Sequence, residues 1–104
     1  MVLSSKQKRE VISELRACLS SEPEIEKIVV FGSFVHSSEP RDLDVAVVQN
    51  SSESYLSLAL KYRKRTRSIA RRIPLDIIPL RSGVSDHFSL TEISSGQTIY
   101  EKGD

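Results

Sequence analysis

The chain has 104 residues, of which 28% are charged and 38% hydrophobic, and its formal net charge is +1. This length allows one small domain with a modest core, residues 1–104, and the near-neutral charge argues against wholesale electrostatic binding to nucleic acid or membrane. The single cysteine, Cys18, cannot form an internal disulfide, and no apolar segment approaches the ~20 residues of a membrane span, so we expect a cytoplasmic protein without a membrane anchor.

The first predicted elements are a helix and a strand. The helix is indicated by apolar residues at helical spacing, namely Val11, Ile12, Leu15 and Leu19. Ser4 or Ser5 is placed to cap it, and its apolar stripe would cover a sheet. Cys18 lies near that stripe, and we interpret it as an inert structural thiol. The β-branched and aromatic run Ile25–Phe31 then predicts the first strand, which ends at Gly32.

The middle of the chain predicts a short helix, a strand and a long helix. Ser33–Ser37 begins the short helix, a turn follows, and Leu43–Val48 is the second strand. The long helix should run from about Glu53 to Arg72. Its predicted inner stripe is Leu56, Ala59, Leu60, Ile69, Ala70 and Ile73.

The last third of the chain predicts two strands around a short helix. Pro74 ends the long helix, and the apolar run Leu75–Leu80 predicts the third strand. A short helix is expected at His87–Ser94 and a last strand at Thr98–Tyr100. These elements together predict an α+β fold in which a small mixed sheet packs with helices.

Three aspartates fall on or beside the predicted strands. Successive side chains of a strand alternate between its faces, so Asp42 and Asp44 should point the same way. Asp76 interrupts the apolar run of the third strand, where an unpaired charge is costly. Grouped carboxylates repel one another unless a cation neutralises them, and Mg²⁺ prefers such oxygen ligands. The pattern predicts a site for two magnesium ions.

Gly32 and Ser33 follow the first strand and suit phosphate. Glycine lets a phosphate approach the backbone, while the Ser33 hydroxyl and the N–H groups of the short helix can donate to it. Each feature alone has a simpler interpretation: a Gly-Ser turn, turn and strand-edge residues at Asp42 and Asp44, or an ion pair between Asp76 and an arginine. Their joint order along the chain favours the chemical interpretation.

The order of a strand, Gly-Ser, a short helix, Asp-x-Asp on a strand and a later strand aspartate resembles the DNA polymerase beta-like nucleotidyltransferase superfamily. The resemblance spans Ile28–Leu80, and the chain looks most like the minimal nucleotidyltransferase (MNT) branch of that superfamily. It implies the nucleotidyltransferase fold, ATP as substrate and Mg²⁺ bound by Asp42, Asp44 and Asp76. It also implies an all-α HEPN partner in a toxin–antitoxin pair, to whose hydroxyl AMP is transferred.

This chain departs from the common family pattern at three positions. Phe34 stands where the family often has arginine, Ser37 replaces a glycine, and Arg41 replaces a serine. Losing the arginine removes one phosphate donor, for which Arg41 beside the carboxylates would compensate. We therefore predict Gly32, Ser33 and Arg41 as the nucleotide-binding residues, and the three retained aspartates favour a competent enzyme.

Lys61–Arg72 is rich in lysine and arginine and contains no acidic residue. It would meet RNA, nucleotide phosphates or an acidic partner, or simply form a solvated helix face. His36 is interpreted as an exposed loop residue, and no catalytic role is assigned to the tyrosines, Tyr55, Tyr62 and Tyr100.

Three functions stay open at this point. The first is AMP transfer to a partner protein. The others are nucleotide addition to RNA such as tRNA, guided by the basic helix, and a non-catalytic antitoxin module that silences its partner by covering it. The sequence also leaves open whether the chain forms a homo-oligomer.

Overall fold

A computed structural model describes residues 2–83 and 95–103. Its helices and strands follow one another closely. In chain order they are α1 (Ser5–Leu19), β1 (Ile25–Phe31), α2 (Ser33–His36), β2 (Leu43–Gln49), α3 (Tyr55–Arg65), α4 (Arg67–Ala70), β3 (Leu75–Arg81) and β4 (Gln97–Glu101).

The four strands form one mixed sheet in the order β3-β2-β1-β4. β1 pairs antiparallel with both β2 and β4. β2 and β3 are parallel, because α3 and α4 carry the chain back along the sheet between them. This mixed sheet packed with helices confirms the predicted α+β class. β3 therefore lies at an edge of the sheet, with β2 as its neighbour.

Helix α1 begins at the predicted serine. The Ser4 side chain accepts a hydrogen bond from the Gln7 backbone N–H at 3.1 Å, and the Ser4 backbone N–H donates to the Gln7 side chain at 2.8 Å. This reciprocal capping box satisfies two amide groups that the first turn leaves unpaired.

Cys18 is half-buried, and burial raises the pKa of its thiol; the negative charge of Glu14 raises the pKa further. A raised pKa disfavours the reactive thiolate, which agrees with a structural role.

The main core lies between the helices and one face of the sheet. Strand residues that are two positions apart point into this core, such as Ile28 and Val30 on β1 and Val45 and Val47 on β2. From the helices it includes Val11, Leu15, Leu19, Leu58, Tyr62 and Ile69. A smaller cluster on the opposite face contains Val29, Phe31 and Ala46. Asp44 and Asp76 lie on this second face of the sheet, because each is two residues from a member of that cluster or a residue packed against it, Ala46 and Ile78.

The predicted long helix is wrong in two respects. It consists of two helices, α3 and α4, because the backbone leaves helical geometry at Thr66, whose buried hydroxyl donates to the Tyr62 carbonyl at 2.8 Å. The predicted stripe is also shifted. Leu56, Leu60 and Ala70 are exposed, and the buried residues of the segment are Leu58, Ala59, Tyr62, Thr66, Ile69 and Ile73.

The other boundaries agree with the sequence analysis to within one residue. β1 has the predicted ends, β2 and β3 each extend one residue further, and β4 is longer by one residue at each end. The predicted helix at His87–Ser94 lies outside the described residues. None of the described helices has the length and apolar character needed to cross a membrane.

Candidate active site

The two strand aspartates meet because of the register of β2 and β3. Asp44 lies directly opposite Asp76 in the parallel ladder. Asp42 precedes β2 by one residue and, by alternation, shares the side of Asp44. One ligand oxygen from each of the three carboxylates lies within 4.8 Å of the others. The structure thus brings the three predicted aspartates together.

This donor set fits a hard divalent cation. Oxygens bound to one octahedral Mg²⁺ lie about 3 to 4 Å apart, given its ~2.1 Å bonds. A separation of up to 4.8 Å requires only small side-chain rotations to reach such a geometry, and it also suits carboxylates that bridge two ions. Asp42 and Asp44 are half-buried, whereas Asp76 is exposed at the edge strand. The most exposed carboxylate is therefore the one that an incoming molecule would reach first.

Gly32 makes room for the Asp44 carboxylate. Its φ is +77°, a backbone conformation that L side chains rarely adopt. A Cβ at this position would meet the Asp44 carboxylate oxygen well inside van der Waals contact. The backbone conformation favours glycine here, and any side chain at this position would force the Asp44 carboxylate to move.

Ser33 connects the short helix to the aspartate loop. Its hydroxyl oxygen accepts a hydrogen bond from the Arg41 backbone N–H at 3.2 Å, which leaves the hydroxyl proton available to a ligand. Arg41 itself is exposed, and its side chain forms no ion pair with any described residue. The serine side chain thus holds the loop that carries Asp42.

Phe34 does not take the place of a phosphate-binding arginine. Its ring belongs to the main core with 1% of its surface exposed, and the Lys8 ammonium lies 5.4 Å from the ring centroid. This side chain holds α2 against the sheet. Position 34 therefore belongs to the core, and any cationic contact to a phosphate would come from another residue.

Two of the three aspartates, Asp44 and Asp76, line a cleft of about 430 Å³. Two residues of α3, Tyr55 and Arg63, belong to its wall. Arg63 was expected only as part of the basic segment that would meet RNA, phosphates or an acidic partner, and no catalytic role was predicted for Tyr55. The lining residues of the cleft are Phe31, Gly32, Asp44, Tyr55, Arg63, Asp76, Ile77 and Ile78. The sequence signal that could place both residues in the cleft is their position about two turns apart on a helix that connects two strands carrying aspartates.

The basic segment 61–72 is partly neutralised. Lys61 lies within 3.2 Å of carboxylates of Glu22, Glu24 and Glu53. Burial would lower the pKa of Lys61, but the hydrogen bonds that its ammonium donates to these glutamates outweigh burial and raise the pKa. Arg65 pairs with Glu22 and Arg72 with Glu14, so three of the basic side chains have protein partners. Neither the described residues nor the similar proteins reported below support binding of RNA by this segment, and RNA binding stays a prediction.

The chain matches a family model. The description of that family is polymerase beta, nucleotidyltransferase, and the match covers residues 13–104. Comparison with curated proteins gave no match.

Several solved structures share the fold. The tri-AMPylated HEPN toxin of Shewanella oneidensis in complex with its MNT antitoxin matches with a TM-score of 0.63 and 18% identity, over 91% of this chain and 73% of that one. The toxin–antitoxin MntA–HepT matches with a TM-score of 0.55 and 14% identity, over 95% and 74%. A toxin–antitoxin structure with AMP-PNP matches with a TM-score of 0.56 and 16% identity, over 91% and 73%. At these identities the likeness shows the fold, which is the one that the resemblance predicted.

Proposed function

The chain belongs to the polymerase beta nucleotidyltransferase family, and from this premise we propose that it transfers AMP from ATP to a hydroxyl of a partner protein. The observation that carries the proposal is the meeting of three carboxylates within 4.8 Å of one another beside Gly32. Two Mg²⁺ held by Asp42, Asp44 and Asp76 would neutralise the phosphates and lower the pKa of the attacking hydroxyl.

The chain's own residues supply the remaining functions. Gly32 leaves the backbone open to the triphosphate, and the Ser33 hydroxyl donates to one of its oxygens. Arg41 remains a proposed nucleotide contact beside Asp42. Asp76, the exposed carboxylate, accepts the proton of the acceptor hydroxyl. The hydroxyl oxygen bonds to the α-phosphorus of ATP, the bond from that phosphorus to its bridging oxygen breaks, and pyrophosphate leaves.

The partner is proposed from the likeness to toxin–antitoxin structures. The matched Shewanella oneidensis structure contains an AMPylated HEPN toxin, and another match contains AMP-PNP. We propose that this chain is likewise a cytoplasmic antitoxin of MNT type that modifies an all-α HEPN protein. A neighbouring gene for a small helical protein with an R-x4-6-H motif would supply that partner.

Binding of Mg-ATP is the first test. Calorimetry should detect Mg-ATP binding by the wild-type chain and at least a tenfold loss in Asp42→Ala, because removing one metal ligand costs affinity. Glu39→Ala is the matched control, since Glu39 is an exposed carboxylate of the same loop outside the aspartate cluster. Equal affinity of the wild type and Asp42→Ala would refute a metal-dependent site.

Transfer is the second test. Incubation of the chain with α-labelled ATP, Mg²⁺ and the purified helical partner should label the partner on a hydroxyl. Asp44→Ala should abolish the label. A partner labelled equally well by that variant would exclude the proposed chemistry, and neutralisation of the toxin that survives Asp42→Ala with Asp76→Ala would indicate a non-catalytic antitoxin.

A further inference from the structure

The basic residues of α3 and α4 divide into two sets. Lys61 and Arg65 lie on the flank of α3 that faces Glu22, Glu24 and Glu53, and they are ion-paired there. Arg63 is exposed and forms no ion pair with any carboxylate of the described residues. It lies two residues, or about 200°, away from each of the paired cations around the helix. Arg63 therefore lies on the opposite side of α3 from the paired cations, and its guanidinium is available to a ligand.

Arg63 is also the basic residue of this segment that lines the cleft. Its neighbours in the cleft wall include Gly32, Asp44 and Asp76. Lys64, Arg67 and Arg71 are exposed but lie outside the cleft lining. Arg63 therefore places a positive charge in the wall of the cleft that also contains Gly32, Asp44 and Asp76, and the Gly-Ser and Asp-x-Asp motifs do not supply such a charge.

The turn that carries Arg63 is firmly anchored. Tyr62, the preceding residue, is completely buried, and its hydroxyl donates to the Glu24 carboxylate at 2.8 Å. Lys61 on the same turn contacts Glu24 at 2.9 Å. These contacts fix α3 against the loop before β1, so the Arg63 backbone is held in place before any ligand arrives. Such preorganisation lowers the cost of binding.

We propose that Arg63 is the phosphate-binding arginine of this site and contacts the triphosphate of the bound nucleotide from the α3 side. The inference rests on the proposed function, since the anion it names is the Mg-ATP of that proposal. It accounts for the phenylalanine at position 34, because the cation comes from α3 and leaves that position to the core. The planar guanidinium can donate two parallel hydrogen bonds to phosphate, which a lysine cannot reproduce.

Calorimetry with Mg-ATP and with magnesium tripolyphosphate tests the proposal. Arg63→Gln should weaken both ligands by roughly tenfold or more, because a hydrogen bond to a charged group is lost. Arg63→Lys should recover only part of the affinity. Lys64→Gln, which removes a neighbouring exposed charge outside the cleft, should stay within about twofold of the wild type, as expected when only the overall field changes.

The outcomes separate this inference from the function on which it rests. Wild-type affinity in Arg63→Gln, or an equal loss in Lys64→Gln, would overturn the Arg63 contact while leaving the metal site intact. A loss for Mg-ATP with full tripolyphosphate affinity would also overturn it, because the contact would then be to the nucleoside. Absence of Mg-ATP binding by the wild-type chain would overturn both proposals. Unchanged thermal unfolding of Arg63→Gln without ligand establishes that the variant is folded.

Discussion

Gly32 is the residue on which the geometry of the carboxylates depends most directly. Its backbone has φ +77°, and a methyl group there would collide with the Asp44 carboxylate. We predict that Gly32→Ala lowers the free energy of unfolding by about 1 to 3 kcal/mol through backbone strain. It should also displace Asp44 and therefore reduce Mg-ATP affinity, measured by urea unfolding and calorimetry.

Gly83 provides the matched control for that substitution. It has a similar φ, +84°, but a Cβ there would meet no atom of the described residues within 4 Å. Gly83→Ala should therefore cost comparable stability and leave Mg-ATP affinity unchanged. If both variants lost affinity equally, strain rather than the contact with Asp44 would explain the effect of Gly32→Ala.

At single positions, the sequence predicted side-chain chemistry better than backbone geometry. The alternation of Asp42 and Asp44 and the isolated charge of Asp76 were enough to expect that the three carboxylates meet. The collision between a side chain at position 32 and Asp44 is a distance between two strands, so no local pattern indicates it. The basic segment 61–72 was expected to meet RNA, phosphates or an acidic partner, but which of its cations reaches the cleft depends on how α3 packs.

Helix α3 shows how a tertiary contact overrides a periodic pattern. Counting Leu56 and Leu60 as inner residues left Tyr62 outside the stripe, yet Tyr62 is buried and hydrogen-bonded to Glu24. The turn at Thr66 then ends the helix, so one uninterrupted period does not apply through Ile69. A polar hydroxyl with a distant partner is difficult to recognise as a core position from hydrophobicity alone.

Substitutions on the two faces of α3 test its orientation. Leu58 is 1% exposed, so Leu58→Ala should destabilise the protein by about 2 to 5 kcal/mol through lost burial and a cavity. Leu60 is 55% exposed, and Leu60→Ala should change the free energy of unfolding by less than about 0.5 kcal/mol. Chemical denaturation of both variants provides the measurement. If Leu60→Ala lost more stability than Leu58→Ala, the face of α3 that contains Leu60 would be the buried one, and this orientation of the helix would be wrong.

The stability of the whole molecule depends on pH through titratable groups at the contact between α3 and the loop before β1. Burial would raise the pKa of Glu24, but hydrogen bonds from Lys61 and Tyr62 outweigh it and lower the pKa. Burial, with the bond to Glu24, raises the pKa of Tyr62. The contribution of Glu24 is therefore present above its unfolded pKa of about 4.3 and is lost as pH falls through the lower folded value. The contribution of Tyr62 is present below about pH 10 and is lost as pH rises beyond it.

Unfolding experiments across pH check these signs. The wild-type chain should lose stability between about pH 5 and pH 3 more steeply than Glu24→Gln, because the variant has no carboxylate to protonate there. Tyr62→Phe should be less stable at neutral pH by about 1 kcal/mol, owing to the lost hydrogen bond. It should also lose less stability above pH 10. Parallel acid limbs for the wild type and Glu24→Gln would contradict the lowered pKa of Glu24.

The whole fold was more predictable than the cleft. Hydrophobic runs bounded by glycine, proline and serine located β1 and β2 to within a residue, and the motif order indicated the family that the family model then showed. The cleft combines residues from β1, β2, α3 and β3, so it depends on contacts between segments far apart in the chain. Such contacts follow from packing, which a local pattern does not contain.

The register of the hydrogen-bonded ladder between β2 and β3 determines which residues meet in the site. Asp44 and Asp76 are partners in that ladder, and a slip of one residue would turn Asp76 to the other face and bring a leucine or an isoleucine opposite Asp44. The proposed set of three metal ligands is therefore complete only after the chain has passed through α3 and α4 and β3 has docked in one register. Metal affinity would then report on the docking of β3 in this register, and Mg²⁺ would select the correctly registered molecules from any population that contains slipped ones.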